Sequence, residues 1–280
     1  MGEVGGIISY VGAGPGAPDL ITLRGADRLR RADVVIWASS LVPEALLEHA
    51  GADAVVHDSA VMTLEDVLGI YEAGAGRRIV RLHSGDPGIY GAIQEQIDWC
   101  AAHERDFEIV PGVSSLAAAA AAVARELTIP KLSQSVVITR LPGRTKASMP
   151  ERETLAAFAA IGATTAVFLA GARPAELQAE LLGPGSAYTE ATPAAVVVRA
   201  TWPDEQVLRT TVGELAAAIT STGATRTVLV LVGETLRPTG EQDAARSHLY
   251  SPAYAHAFRK RSRSGSTAGR PAGRRGAGLR

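Results

Sequence analysis

One stretch decides the fold of this chain: Arg81-Leu82-His83-Ser84-Gly85-Asp86-Pro87-Gly88-Ile89-Tyr90-Gly91. The apolar run Arg78–Leu82 predicts a short buried strand that leads into it. Apolar residues then recur at helical spacing from Ile89 to Cys100, which predicts a helix with Asp86 as N-cap and Pro87 as first residue. A glycine-rich turn between strand and helix is where open α/β sheets bind ligands. Helix capping alone would explain Asp86 and Pro87 about as well.

Two similar corners are predicted on either side of this stretch. Ile7–Val11 forms a strand that runs into the glycine- and proline-rich turn Gly12–Leu20. Phe107–Val110 forms another, followed by a turn in which Ser114 or Ser115 caps an alanine-rich helix. Strands that alternate with helices in this way predict a parallel α/β sheet.

The second half of the chain predicts a separate domain. The helical pattern breaks between Glu126 and Lys131, and we place a domain boundary there. Later segments alternate less regularly and end in a hairpin-like pair, which predicts a mixed sheet. The predicted division is an N-terminal α/β domain over residues 1–127, a C-terminal α/β domain over 128–245 and a basic tail over 246–280.

Composition suits a globular protein outside the membrane. The 280 residues are 46% hydrophobic but only 5% aromatic, so the cores must be built from Ala, Val, Leu and Ile. A single cysteine, Cys100, fits a reducing compartment. We see no signal-peptide pattern, and the longest apolar run, 116–124, is too short to span a bilayer. We therefore expect a cytoplasmic protein.

Charge divides the chain into an acidic body and a basic tail. From Arg246 onward the tail carries nine of the 28 Lys and Arg residues and none of the 29 acidic ones, which leaves the body at −10. An acidic body gives no reason to expect a nucleic-acid partner. The tail from about Ser262 is expected to be a disordered extension. The histidines show no metal-ligand spacing, so no metal site is predicted, and His83 is expected to be structural.

A dinucleotide-binding enzyme is one alternative. Gly12, Gly14 and Ala17 formally match the fingerprint G-x-G-x-x-G/A. The acidic residue that binds the ribose should close the second strand, but Asp33 opens that strand instead. Two prolines also interrupt the turn where the helix of such a fold should begin. NAD binding stays open on these grounds.

Three motifs, taken in sequence order, resemble the tetrapyrrole methylase family, whose members use S-adenosylmethionine. They are Val11-Gly12-Ala13-Gly14-Pro15-Gly16 with Asp19–Gly25, Gly85-Asp86-Pro87 with Tyr90-Gly91, and Pro111-Gly112-Val113-Ser114-Ser115. The likeness covers about residues 7–236. It implies two α/β domains, the first with a mainly parallel sheet and the second with a mixed sheet. A deep trough separates them, usually in a homodimer.

Further segments resemble the branch of the family that methylates precorrin-4 at C-11. They include Ala38–Val42, Asp58–Leu64, Ser133–Arg140 with Gly143-Arg144-Thr145, and Arg199–Glu205. Uroporphyrinogen methyltransferases carry an aspartate soon after the second strand, where this chain has Ala38. That departure argues against the uroporphyrinogen branch and against borrowing its proposed base, so no catalytic residue is assigned.

The resemblance implies that S-adenosylmethionine lies folded between the domains. By motif position, its contacts come from Pro15, Ser84, Gly85, Asp86, Ile89, Ser114, Ser115, Ala170, Ala200 and Thr227. Small residues suit such a site, because many contacts are made by backbone groups. The implied reaction is direct displacement: a nucleophilic ring carbon attacks the methyl group on sulfonium, and S-adenosylhomocysteine leaves.

The implied substrate is precorrin-4 or cobalt-precorrin-4, in cobalamin biosynthesis. Its acetate and propionate groups favour Arg or Lys partners. Arg140 and Arg144 are the candidates, although solvated loop charges explain them nearly as well. Two alternatives stay open: methylation at another ring position, and a non-catalytic module that binds S-adenosylmethionine or a corrinoid.

Overall fold

The computed structural model describes residues 6–141 and 149–238, with scattered positions between 247 and 261. These residues form two five-stranded sheets, one from each half of the chain. Arg144 and most of the basic tail lie outside the described residues. Among the described helices, none has the length and apolar character that a membrane span requires.

The first sheet is entirely parallel, as the alternation of strands and helices predicts. Its strands are β1 (Ile8–Gly12), β2 (Val34–Trp37), β3 (Val55–Asp58), β4 (Ile79–His83) and β5 (Phe107–Val110). They lie in the order β3-β2-β4-β1-β5, and β1 pairs with both β4 and β5. The central strands are buried on both faces, which is why they consist largely of Ile and Val.

The described residues of the first half also form four α-helices: α1 (Leu23–Arg30), α2 (Leu64–Ala73), α3 (Gln94–Ala102) and α4 (Ser115–Ala122). Thr22 caps α1 by accepting the Gly25 N–H, and Thr63 forms a reciprocal capping box with Asp66 on α2. Core clusters fill both faces of the sheet, one with Leu29 of α1 and the other with residues of α2 and α3.

Helix α3 begins at Gln94, so the prediction that it begins at Pro87 is wrong. Tyr90 and Ala92 have left-handed backbone conformations, with φ of 57° and 50°. A right-handed helix cannot continue through such residues. Residues 87–93 therefore form an irregular turn at the carboxyl end of β4, and the apolar spacing from Ile89 is interrupted rather than helical.

The second sheet is mixed, and its last two neighbours form the predicted hairpin. Its strands are β6 (Val136–Arg140), β7 (Thr164–Phe168), β8 (Pro193–Val198), β9 (Gln206–Thr211) and β10 (Val228–Val232), in the order β6-β7-β10-β8-β9. Only β6 and β7 are parallel to each other. Helices α5 (Leu155–Ala159), α6 (Pro174–Leu181) and α7 (Leu215–Ser221) cover one face.

Helix α4 belongs to the first half in sequence but packs on the other face of the second sheet. Ala118 and Ala119 are buried there against Val197 and Leu231. Alanine side chains have little bulk, so helix and sheet approach closely. The boundary after residue 127 stays a prediction, and it falls in the segment that joins α4 to β6.

Candidate functional site

Two turns are joined by backbone hydrogen bonds at the carboxyl edge of the first sheet. The N–H of Ala13 donates to the carbonyl of His83 at 2.7 Å. Gly14 and Gly85 exchange two backbone hydrogen bonds of 3.2 and 2.8 Å, and both have left-handed φ values, of 81° and 66°. Glycine adopts that conformation without strain, so the turn after β1 and the turn after β4 are held together.

The Asp86 carboxylate connects the turn after β4 to a third turn, the one that follows β5. Its Oδ1 accepts the Gly88 N–H at 2.8 Å, and its Oδ2 accepts the Gly112 N–H at 2.8 Å. Asp86 therefore organises two turns instead of capping a helix. Ser114 does cap its helix, because its side chain accepts the Leu116 N–H at the start of α4.

Glycines let the three turns approach to backbone contact. A Cβ atom on Gly12 would lie 2.5 Å from the Cα of Gly112, and one on Gly112 would lie 2.1 Å from the carbonyl oxygen of Gly85. No larger residue fits either position without movement of the backbone. Close packing thus fixes the carboxyl edge of the sheet as a rigid platform.

A cavity of about 480 Å³ lies on this platform and is lined by both domains. That volume falls in the range of sites for small organic ligands. Most of the sequence-predicted cofactor residues line it: Pro15, Ser84, Gly85, Asp86, Ile89, Ser114, Ser115, Ala200 and Thr227. The structure thus brings residues from five separate segments of the chain to one cavity.

Ala170 and Arg140 do not line the cavity. Ala170 is fully buried in the core of the second domain, and its neighbours Leu169 and Gly171 form the wall instead. Arg140 ends strand β6 beside Leu141, which does line the cavity. Arg144 lies outside the described residues.

Left-handed backbone occurs at several non-glycine residues that line the cavity, of which Thr227 alone is among the sequence-predicted contacts. Tyr90, Leu169, Arg199 and Thr227 line it with φ values of 57°, 55°, 49° and 54°. Each non-glycine residue in this region costs on the order of 1–3 kcal/mol, and such strain concentrates at ligand sites. None of these residue types signals a left-handed conformation, so the sequence alone gives no warning of it.

An aromatic pair closes one side of the cavity. The ring of Tyr90 packs against that of Phe168 across the two domains, with centroids 5.3 Å apart and planes inclined by 58°. Burial raises the pKa of the Tyr90 hydroxyl, although the nearby Arg140 guanidinium acts in the opposite direction. The pair offers an apolar aromatic surface to the cavity.

Three arginines of the second domain line the cavity: Arg173, Arg199 and Arg226. Two of them are held by acids outside it, Arg173 by Glu176 at 2.7 Å and Arg199 by Asp204. Among the lining residues that the structure describes, Asp86 is the only one with an acidic side chain. The cavity therefore favours anionic groups, and these arginines are not among the sequence-based candidates.

The NAD alternative fails on geometry. Only a single 3₁₀ turn, Pro18–Leu20, follows the glycines directly, and α1 begins at Leu23. Asp33 precedes β2 and so lies at the amino edge of the parallel sheet, opposite the cavity. There it forms an ion pair with Arg78 at 2.7 Å, which lowers the pKa of its carboxyl group. Among the described residues, no three His, Cys, Asp or Glu side chains converge as a metal site requires.

Comparison with known proteins identifies the family. Residues 8–216 match the family described as Tetrapyrrole (Corrin/Porphyrin) Methylases. This match covers well over half of the chain, and the chain belongs to that family.

Individual relatives agree with this assignment. The chain is 45% identical to a cobalt-precorrin-4 C(11)-methyltransferase of Methanocaldococcus jannaschii, over 90% of this chain and 96% of the relative. The crystal structure of a cobalt precorrin-4 methyltransferase of cobalamin biosynthesis superposes with a TM-score of 0.79 at 43% identity, covering 83% of this chain and 96% of the other. A uroporphyrin-III C-methyltransferase from Thermus thermophilus, in complex with S-adenosylhomocysteine, superposes with a TM-score of 0.68 at 28% identity, covering 83% and 99%.

Proposed function

We propose that this chain transfers the methyl group of S-adenosylmethionine to C-11 of precorrin-4 or cobalt-precorrin-4 in cobalamin biosynthesis. One observation carries the proposal: the turns that bear the family motifs converge on a single cavity between the domains. The chain is also similar over nearly its whole length to a relative named for this reaction.

The lining residues fit S-adenosylmethionine. Ser114 and Ser115 stand at the N-terminus of α4, where the helix dipole and the serine hydroxyls suit a carboxylate such as that of its methionine part. Gly85, Gly171 and Ala200 line the cavity with little or no side chain, which leaves room for a flat group such as a purine. Apolar contacts come from Pro15 and Ile89.

In this reaction the main task of the protein is to align the two reactants, and no proton-transfer residue is assigned. Bound S-adenosylmethionine supplies an electrophilic methyl group on a sulfonium, whose charge is neutralised as the methyl group leaves. No general acid is needed for such a leaving group, and we assign no general base. Holding both reactants in one orientation supplies much of the rate, and the rigid platform of glycine turns performs this role.

The part of the cavity formed by the second domain suits a macrocycle that carries several carboxylates. Arg173, Arg199 and Arg226 line the cavity on the second domain, and guanidinium groups bind carboxylates in a planar, bidentate fashion. Tyr90 and Phe168 add an aromatic, apolar part of the same cavity lining. We propose these residues as substrate contacts, with Arg140 and Arg144 retained as further candidates from the sequence.

Calorimetric titration of the purified protein with S-adenosylhomocysteine, with NADH as the control, tests the cofactor. We expect saturable binding of S-adenosylhomocysteine alone. No binding to a folded protein would remove the basis for every assigned cofactor contact.

Turnover then tests the substrate and the two alternatives. Precorrin-4 and cobalt-precorrin-4 should each be offered with S-adenosylmethionine and the products analysed by mass spectrometry and NMR. Methylation at C-11 supports the proposal, and methylation elsewhere on the ring supports the first alternative. Binding of both ligands without release of S-adenosylhomocysteine would indicate a non-catalytic module.

We also propose that the protein is cytoplasmic and acts as a homodimer. The single cysteine, Cys100, is buried and unpaired, in keeping with a reducing compartment. Val55 and Val56 lie on the edge strand β3 and are 47% and 42% exposed, an apolar edge that a second copy could cover. Light scattering after size-exclusion chromatography measures the oligomeric state.

A further inference from the structure

Two hydrogen bonds join the domains beside the cavity. The indole N–H of Trp202 donates to the carbonyl oxygen of Pro15 at 3.0 Å. The backbone N–H of Ala17 donates to the hydroxyl oxygen of Thr201 at 2.9 Å. Adjacent residues of the second domain thus hold both sides of one short turn in the first domain. Pro15 and Trp202 also line the cavity.

Gly16, between the two bonded residues, lies directly against the indole ring. A Cβ atom on Gly16 would lie 2.2 Å from Cδ1 and 2.6 Å from Nε1 of Trp202. Glycine is therefore needed for contact with the tryptophan, although its φ is not left-handed. The turn and the indole are complementary in shape as well as in hydrogen bonding.

The second-domain segment that carries these residues is held by its own contacts. The Thr201 N–H donates to the Glu205 carboxylate at 2.6 Å, and the Trp202 N–H donates to the Arg199 carbonyl at 2.9 Å. The Arg199 guanidinium lies over the indole ring, 5.1 Å from its centroid, and pairs with Asp204. The segment is thus held by contacts within the second domain in addition to those it makes with the first.

We propose that Thr201 and Trp202 are positioning residues that fasten the Pro15–Ala17 turn to the second domain and thereby set the affinity for the methyl donor. The donor's identity rests on the proposed function. The physical reason is preorganisation: a cavity whose two walls are already joined loses less freedom when a ligand binds.

Two substitutions remove the hydrogen bonds and keep most of the packing. Trp202→Phe removes the indole N–H, and Thr201→Val replaces the hydroxyl with a methyl group of similar size. A hydrogen bond contributes about 1 kcal/mol net, which corresponds to about a fivefold change in affinity. We expect each variant to bind S-adenosylhomocysteine about fivefold more weakly by calorimetry, and the double variant more than tenfold more weakly. Thr201→Ser, which keeps the hydroxyl, should stay within about twofold of the parent protein.

Gly16→Ala tests the contact from the opposite side. In the parent protein the added methyl group must displace the indole, so affinity should fall by a similar factor. In a Trp202→Ala background most of the clash is absent, and the same substitution should cause little further loss. Equal losses in both backgrounds would contradict the inference.

Steady-state kinetics separates positioning from general damage to the fold. We expect a raised KM for S-adenosylmethionine with a smaller change in the KM for the tetrapyrrole. A fall in kcat with both KM values unchanged would indicate loss of folded enzyme and overturn the inference. Trp99→Phe, in helix α3 of the first domain, is the matched control and should leave the affinity unchanged.

The outcomes also distinguish this inference from the proposed function. If the parent protein binds S-adenosylhomocysteine but Trp202→Phe and Thr201→Val bind equally well, the positioning role is wrong and the function stands. If the folded parent protein does not bind it, the proposed function and the positioning role that depends on it both fail.

Discussion

Asp86 organises the site through both of its carboxylate oxygens. One oxygen accepts an N–H within its own turn and the other accepts the Gly112 N–H of the next turn. A carboxylate that bridges two turns in this way fixes their separation, and both turns line the cavity. The side chain therefore acts on the ligand site even without touching the ligand.

We expect Asp86→Ala to weaken the binding of S-adenosylhomocysteine by about tenfold. Two backbone N–H groups lose their partner, and each lost hydrogen bond costs on the order of 1 kcal/mol. Asp86→Asn keeps one oxygen acceptor and should lose less. Calorimetric titration of both variants measures the difference, and unchanged affinity in the alanine variant would contradict the bridging role.

His83 makes the stability of the first domain sensitive to acid. It is 7% exposed, and burial together with the Arg81 guanidinium lowers its pKa from 6.5 to about 3. Between these values the unfolded chain binds more protons than the folded protein, so the free energy of unfolding falls as pH falls from about 6.5 toward 3. The slope for one such group is at most about 1.4 kcal/mol per pH unit.

Urea unfolding at about pH 7 and about pH 5 tests this expectation. His83→Gln, which cannot take up a proton, should flatten the pH dependence across that interval. Asp33 and Glu108 have lowered pKa values, so their effect on the free energy of unfolding falls mainly at more acidic pH. They therefore contribute little to the difference between about pH 7 and about pH 5. An unchanged slope in the glutamine variant would show that His83 is not the group responsible.

At the scale of elements, the glycine contacts between turns should be among the least tolerant positions in the chain. We expect Gly112→Ala to lower the free energy of unfolding by several kcal/mol, because its Cβ would lie 2.1 Å from the Gly85 carbonyl oxygen. Gly69→Ala is the matched control. Apart from its chain neighbours and the backbone of its own helix α2, no described atom lies within 4 Å of a Cβ on Gly69. That substitution should stabilise by about 0.5–1 kcal/mol. Denaturant unfolding measures both, and equal effects would contradict the close contact.

Elements with local signals could be predicted well from the sequence. Strand β5 has the predicted bounds Phe107–Val110, because an apolar run there ends at a proline and a glycine. The serine cap predicted for the alanine-rich helix is likewise present, and Ser114 provides it. The start of α3 could not be predicted, since Asp86 bonds to Gly112, a residue distant in sequence. A local N-cap pattern gives no sign of that competing partner.

The candidate site shows the same division between local and distant information. Turns such as Ser84–Asp86 could be located from their glycines and from the strands that precede them. The contact of Trp202 with Pro15 joins residues 187 positions apart, and no local pattern reports it. The sequence motif predicts a contact at Ala170, but its neighbours Leu169 and Gly171 line the cavity instead. Which of three consecutive residues faces the cavity depends on the packing of the second sheet, and the sequence does not report it.

At the scale of the whole molecule, helix α4 couples the two domains. Its first residues line the cavity and its buried alanines pack on the second sheet. We expect Ala119→Leu to cost about 1–3 kcal/mol of stability through overpacking, and to weaken S-adenosylhomocysteine binding as well. Ala117→Leu, on the exposed side of the same helix, should be nearly neutral in both respects. Thermal unfolding and calorimetry together test the coupling; a destabilised Ala119→Leu variant with normal affinity would refute it.

The basic tail is expected to be dispensable for catalysis. The tail carries no acidic residues and the segment from Ser262 has few apolar ones, so it has little to contribute to a packed core. Deletion of residues 262–280 should leave both S-adenosylhomocysteine affinity and turnover within about twofold of the full chain. A large loss of either would assign the tail a role in the site.

Several residues that line the cavity have little or no side chain, among them Gly85, Gly171 and Ala200. A point mutation at such a position leaves the peptide carbonyl in place and, unless it introduces proline, the peptide N–H as well. Features of the donor site that rest on the backbone are therefore inherited together with the fold, whereas the arginines and aromatic rings that line the cavity can change one codon at a time. Descendants of such a protein can acquire a new ring position to methylate while keeping an unaltered donor site.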